Sequence, residues 1–323
     1  CPEHIDRITR LLGRGNSRTY RIFTNTNKSY FLKSYPDLLV DPRPRLRNEV
    51  KACDLLEDLR LTPRSVAHDE ELNLALFEWI DGGPPRTVTT KHICQALSFV
   101  KKLKEIPKDV QNNYPEASEA CLSGTQLINQ VQDRIKKLDS IDNIELQQFI
   151  KTSIKPLWEE TRKWFGENWP TISFEKKLVQ SKQTLSPSDF GFHNSLQQED
   201  GSLWFVDFEY FGRDDPVKLI TDFLWHPGMN LQVVHKTQWL RGVFEIFSQD
   251  LELRQRFHAA WPAYALRWAL IMLNEFLQEG WWIRIHAKQE LQHEREYMQQ
   301  QQLLKAANIC ELVRGQKLEC PYV

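Results

Sequence analysis

The sequence predicts an α+β fold: a small antiparallel sheet at the N-terminal end, then a larger and mainly helical part. Short apolar runs separated by turn residues fill roughly the first 85 positions, whereas from Thr90 onward apolar residues recur at helical spacing. One further β-like segment, Asn194 to Phe208, interrupts the helical patterns and carries its own turn.

The elements follow in order. Ile8 to Leu12, Thr19 to Thr24 and Ser29 to Tyr35 read as three antiparallel strands, with turn chemistry at Gly13-Arg14-Gly15-Asn16-Ser17 and at Asn25-Thr26-Asn27. Pro42 and Pro44 stop the chain. Leu46, Val50, Cys53, Leu56 and Leu59 then share one helical face. Leu72 to Ile80 reads as another strand, ended by Asp81-Gly82-Gly83-Pro84-Pro85, a loop suited to a hinge. This divides the chain into an N-terminal lobe over 1–82 and a helical C-terminal lobe over 83–323. Helices are expected over Ile93 to Leu103, Leu122 to Leu138, Ile144 to Phe165, Thr237 to Phe247 and Ala260 to Leu277. The Asn194 to Phe208 segment folds back at Gln198-Glu199-Asp200-Gly201, where Asp-Gly marks a tight hairpin. The last 35 or so residues, rich in Gln, Glu and Lys, read as a helix with a solvated face.

Composition excludes several classes of function. Across 323 residues, Lys+Arg 42 against Asp+Glu 43 leave a net charge of -1, so no basic field draws the chain to nucleic acid or an anionic membrane. The six cysteines show neither CxxC pairs nor metal-ligand spacing, which fits reduced thiols in the cytoplasm. No apolar run reaches the ~20 residues of a membrane helix.

The chemistry concentrates in Ser188-Asp189-Phe190-Gly191-Phe192-His193-Asn194, followed by the hairpin and then by Phe205-Val206-Asp207-Phe208-Glu209. The Asp189 to Asn194 spacing equals that of the kinase catalytic loop, and Asp207 stands where kinases carry the Asp of their DFG motif. Phosphoryl transfer needs a carboxylate to orient the attacking hydroxyl and oxygen ligands to fix Mg²⁺ on the nucleotide phosphates. Asp189 suits the first task, Asn194 and Asp207 the second. Upstream, a Gly-rich hairpin at Gly13, Arg14, Gly15, Asn16 and Ser17 brings backbone N–H groups toward phosphates, and Lys33 in a strand supplies a point charge. Glu49, near the start of the following helix, is placed to hold Lys33.

In this order the chain resembles the aminoglycoside phosphotransferase and choline kinase superfamily, small-molecule kinases that share the protein-kinase-like two-lobed fold. Val206-Asp207-Phe208-Glu209-Tyr210 is especially similar to the choline kinase form of the metal segment. The resemblance implies ATP, or GTP, as phosphoryl donor with Mg²⁺, and adenine received by the backbone around Glu78 and Ile80. It also implies a helix after Asp215-Pro216 whose Asp222 braces the catalytic loop. At position 187 the chain has Pro where the family has His, two residues before the catalytic Asp. The acceptor, a small molecule bearing a hydroxyl group, is expected against the segment from Trp261 to Glu275. Arg267, Asn274 and Glu209 are its candidate polar contacts beside Asp189, and Trp281-Trp282 offers further aromatic faces. The reading from another class is a catalytically weak nucleotide-binding regulatory module.

Overall fold

The computed structural model describes residues 3–11, 17–170, 174–279, 281 and 294–323. Two compact units emerge. The first gathers Cys1–Arg86, Phe192–Phe211 and Gln278–Arg295, and the second Thr87–Gly191, Gly212–Leu277 and Glu296–Val323. The first unit thus takes in two segments from beyond residue 82.

In the first unit, strands β1 (Ile5–Leu11), β2 (Arg18–Thr24), β3 (Ser29–Ser34), β4 (Ser65–Asp69) and β5 (Leu74–Glu78) form an antiparallel sheet in the order β1-β2-β3-β5-β4. The β2–β3 turn closes on Asn27, which takes a left-handed φ of 62° as Asn tolerates. Strand β4 was not expected. Its Ser65-Val66-Ala67-His68-Asp69 is largely exposed at the sheet edge, so it carries no apolar alternation to read. The strand expected from Leu72 begins at Leu74, because Asp69 Oδ1 accepts the Leu72 N–H and Asn73 turns left-handed. Helix α1 (Arg45–Leu56) stops before Leu59, where the chain tightens and Arg60 reverses at φ 49°. The hairpin β7 (Ser195–Gln197) to β8 (Leu203–Phe205) joins this unit through backbone bonds. Gln197 N–H donates to Gly83 O at 2.8 Å and Phe205 N–H to Leu61 O at 2.7 Å.

The second unit is helical around one short strand pair, β6 (Thr184–Ser186) with β9 (Gly212–Asp214). Its helices are α2 (Thr90–Glu105), α3 (Lys108–Asn112), α4 (Gly124–Asp139), α5 (Ile144–Phe149), α6 (Lys155–Asn168), α7 (Pro216–Trp225), α8 (Val233–Ile246) and α9 (Leu253–Met272). The pattern read as one helix from Ile144 to Phe165 contains a π-helical turn over Ile150–Ile154. Pro156 has no N–H for its i−4 carbonyl and so favours that break. Conversely α9 runs through Pro262 and starts at Leu253, seven residues before the expected Ala260, because its flanks are almost wholly buried. The C-terminal helix α10 (Arg295–Gly315) is not merely a solvated face: Ala306, Ile309, Cys310 and Val313 bury one stripe of it. The five described cysteines are free. Among the described residues no helix is long and apolar enough to cross a membrane.

Candidate active site

The pleat of the sheet builds the site in the first unit. Cross-strand pairing aligns Leu11, Thr19, Lys33 and Ala75 in one row, and Arg21, Phe31 and Phe77 in the next but one. Leu11, Thr19, Lys33, Phe31 and Phe77 all line a cavity of about 320 Å³ that Ser17, Glu49, Glu78, Ile80, Asn194, Asp207 and Glu209 also border. Tyr30 pairs with Glu78, three residues along β3 from Lys33. The segment around Glu78 therefore stands about 10 Å from the Lys33 row. A charged side and an apolar side share one hollow, which is the form of a site for a ring carrying phosphates.

Lys33 is the centre of the charged side. Its buried Nζ donates to Glu49 Oε2 at 2.7 Å and Asp207 Oδ1 at 2.6 Å, and lies 3.1 Å from Glu209 Oε2. The Tyr35 hydroxyl donates to the same Glu49 oxygen at 2.6 Å. Arg45, the first residue of α1, is buried and donates to Glu209 Oε1 and to Asp41. Burial by itself would lower the Lys33 ammonium pKa, but Asp207, Glu209 and Glu49 outweigh it and raise it well above its ordinary value. For Asp207, desolvation dominates over the pull of Lys33, and with Glu209 and Glu49 nearby its carboxyl is pushed up to about 7. Burial would also raise Glu209, yet Lys33 and then Arg45 bring its carboxyl below the usual range. Asp207 itself adopts a left-handed φ of 70°, an uncommon conformation outside glycine that marks a constrained turn.

Asp189 belongs to the second unit. Its loop is shaped by Ser188, at φ 67°, whose N–H donates to Ser186 Oγ and whose hydroxyl donates to Ser118 O at 3.1 Å. The buried Lys218 Nζ donates to Ser188 Oγ at 3.0 Å and pairs with Asp222 Oδ2 at 2.8 Å, so Asp222 supports the loop through a lysine. The Asp189 carboxylate stays one-third exposed, with His226 Nε2 at 3.5 Å. His226 in turn lies edge-on to Trp268.

The structure brings Ser17, Lys33, Glu49, Glu78, Ile80, Asn194, Asp207 and Glu209 to one cavity. Gly13, Arg14, Gly15, Asn16 and Trp282 lie outside the described residues. Two expected acceptor contacts come out differently. Arg267 is 3% exposed, donates to Gln130 Oε1 and Glu119 Oε2, and lies 3.6 Å from Asp222, so it is a buried structural cation. Glu209 borders the cavity, but each of its oxygens faces a cation, Arg45 on one side and Lys33 on the other. Asn274 sits half-buried in the turn after α9. Tyr35, Arg45, Lys218 and His226 were not singled out for roles in the site. Arg45 and Glu49 share a helix face at i, i+4, as do Lys218 and Asp222, and that spacing was the legible signal.

The model of the phosphotransferase enzyme family matches residues 7–266, four-fifths of the chain. The chain belongs to that family. No curated protein gives a significant sequence match. Among solved structures, the phosphotransferase is similar to the spectinomycin phosphotransferase APH(9)-Ia in complex with ADP and spectinomycin, at a TM-score of 0.61 and 12% identity, covering 96% of this chain and 94% of the other. It is similar to the choline kinase LicA from Streptococcus pneumoniae at 0.55 and 14%, covering 95% and 94%, and to the Plasmodium vivax ethanolamine kinase at 0.55 and 16%, covering 93% and 82%. Identities this low speak for the fold alone, which is the α+β, protein-kinase-like fold expected from the sequence.

Proposed function

We propose that this phosphotransferase moves the γ-phosphoryl group of ATP to a hydroxyl of a small metabolite, in the class of sugars, amino sugars, aminoglycosides or amino alcohols. The observation that carries the reading is the buried Lys33, held by Glu49 and Asp207 at one side of a cavity whose other side is apolar and bordered by Glu78 and Ile80. Relatives of the same fold act on spectinomycin, choline and ethanolamine, and one holds ADP, which supports both the donor and the acceptor class.

In this reading Lys33 gives up Asp207 and places its charge on the nucleotide phosphates, while Glu49 keeps the ammonium in register. The oxygens of Glu49, Asp207 and Glu209 lie within 4.8 Å of one another, and Asn194 borders the same cavity. Such hard oxygen donors fit Mg²⁺. Asn194 and Asp207 would hold it, and when bound it neutralises charge on the transferring phosphoryl. Asp189 aligns the acceptor hydroxyl and receives its proton. That role rests on its spacing from Asn194 and on a carboxylate kept partly exposed by its loop.

The test is ATP consumption with Mg²⁺ across a panel of sugars, amino sugars, amino alcohols and aminoglycosides, with Asp189→Asn beside the unaltered protein. An acceptor hit that Asp189→Asn reduces by about a thousandfold or more, with nucleotide binding retained, is the expected outcome. Undiminished turnover in the variant would remove Asp189 from the mechanism.

A further inference from the structure

The buried cluster around Lys33 contains a residue that the phosphoryl-transfer scheme does not use. Arg45 is 2% exposed, and its guanidinium spans two carboxylates, Glu209 Oε1 and Asp41 Oδ2, with its carbon 5.0 Å from the centre of the Tyr210 ring. Glu209 is thereby split between two cations, one oxygen on Arg45 and the other on Lys33. The Asn48 amide also donates to the Glu209 backbone carbonyl at 3.3 Å, which pins the segment to α1.

Among the described residues of this cluster, three cations, Lys33, Arg43 and Arg45, face four carboxylates, Asp41, Glu49, Asp207 and Glu209. One negative charge is in surplus. Its place is decided by exposure: Asp207 keeps 31% of its side-chain surface, whereas the other three carboxylates keep 6% or less. A buried carboxylate must be matched by a cation. The surplus therefore falls on Asp207, the most exposed of the four.

We propose that Arg45 is a positioning residue of the nucleotide site, holding Glu209 on α1 so that Lys33 is free to turn to phosphate and Asp207 is the carboxylate left for a divalent cation. Without Arg45, Glu209 has Lys33 as its one remaining strong cationic partner. It would then draw the ammonium away from the phosphates and leave two surplus charges where the protein has one. This role rests on the proposed kinase reading.

The experiment is equilibrium binding of ADP, with and without Mg²⁺, by calorimetry, accompanied by a thermal melt. Arg45→Met is expected to weaken Mg-ADP binding by about 30-fold, the scale of breaking one buried charge pair. Adding Glu209→Gln to Arg45→Met returns the surplus to one charge and should restore affinity to within about threefold of the unaltered protein. Arg45→Lys reaches one carboxylate but not both and should fall between. Should Arg45→Met not fold, the double variant is compared with Glu209→Gln alone, which has no surplus and should gain less affinity from Mg²⁺. Wild-type affinity in Arg45→Met, or a double variant no better than Arg45→Met, overturns the role. No nucleotide binding by the unaltered protein would instead sink the kinase reading and this role with it.

Discussion

Replacing Lys33 by Met tests the electrostatic reading of the site most directly. The change keeps the side chain's length and removes the ammonium that Glu49, Asp207 and Glu209 share. Arg45 still holds Glu209 and Tyr35 still donates to Glu49, so the loss falls mainly on the pairing of Glu49 with Asp207. Carboxylate oxygens within 4.8 Å of one another repel by about 3 kcal/mol at an effective dielectric constant near 20. Breaking a buried ion pair from one side costs a similar ~3–5 kcal/mol. The site can relieve this by taking up a proton. A carboxyl whose pKa is raised in the folded state loses stability as pH rises from its unfolded value toward the raised one. With Lys33 present the Asp207 carboxyl already stands at about 7 and is largely protonated at pH 5, so the Lys33→Met penalty should be ~3–5 kcal/mol at pH 7.5 and smaller by about 1 kcal/mol at pH 5. Urea unfolding followed by tryptophan fluorescence at the two pH values measures it, and Mg²⁺ should recover part of the loss at pH 7.5. A penalty equal at both pH values and indifferent to Mg²⁺ would refute the argument.

Two further expectations concern the same unit. Gly82 has φ 130°, and a Cβ there would lie 2.4 Å from the Gln197 carbonyl oxygen, so Gly82→Ala must shift the segment after Glu78 away from the β7–β8 hairpin. A loss of ~1–3 kcal/mol with weakened ADP binding is expected, and an unchanged melting temperature and affinity would show that this close approach does not matter. Burial would raise Asp41, but its hydrogen bond to Arg43 and the charges of Arg45 and Arg43 hold it down to about 2. Its stabilisation is complete above its unfolded value and lost as pH falls from near 4 to near 2, an effect of about 2 kcal/mol. Asp41→Asn should flatten that part of the acid unfolding curve. Parallel curves for the two proteins would contradict it.

The sequence alone determined the fold class, the order of the main elements and the identity of the charged residues that share the cavity. These depend on local signals: the apolar period, the Asn and Gly turns, and the spacing of Asp189, Asn194 and Asp207 along one stretch of chain. It missed β4, because an exposed edge strand has no buried face to imprint a pattern. It also began α9 too late, since Pro262 looks like a first-turn residue when the packing around it is unknown. Only the tertiary structure decided which charges meet. Arg267 reads as an open cation on an aromatic helix, yet it is sealed against Glu119 and Asp222, residues 148 and 45 positions away. Arg45 reads as an ordinary helix-start arginine, yet it meets Glu209, 164 residues on. Partners so distant leave no periodic trace. Their pairing follows from burial, which strips water from each charge and requires an opposite charge within reach.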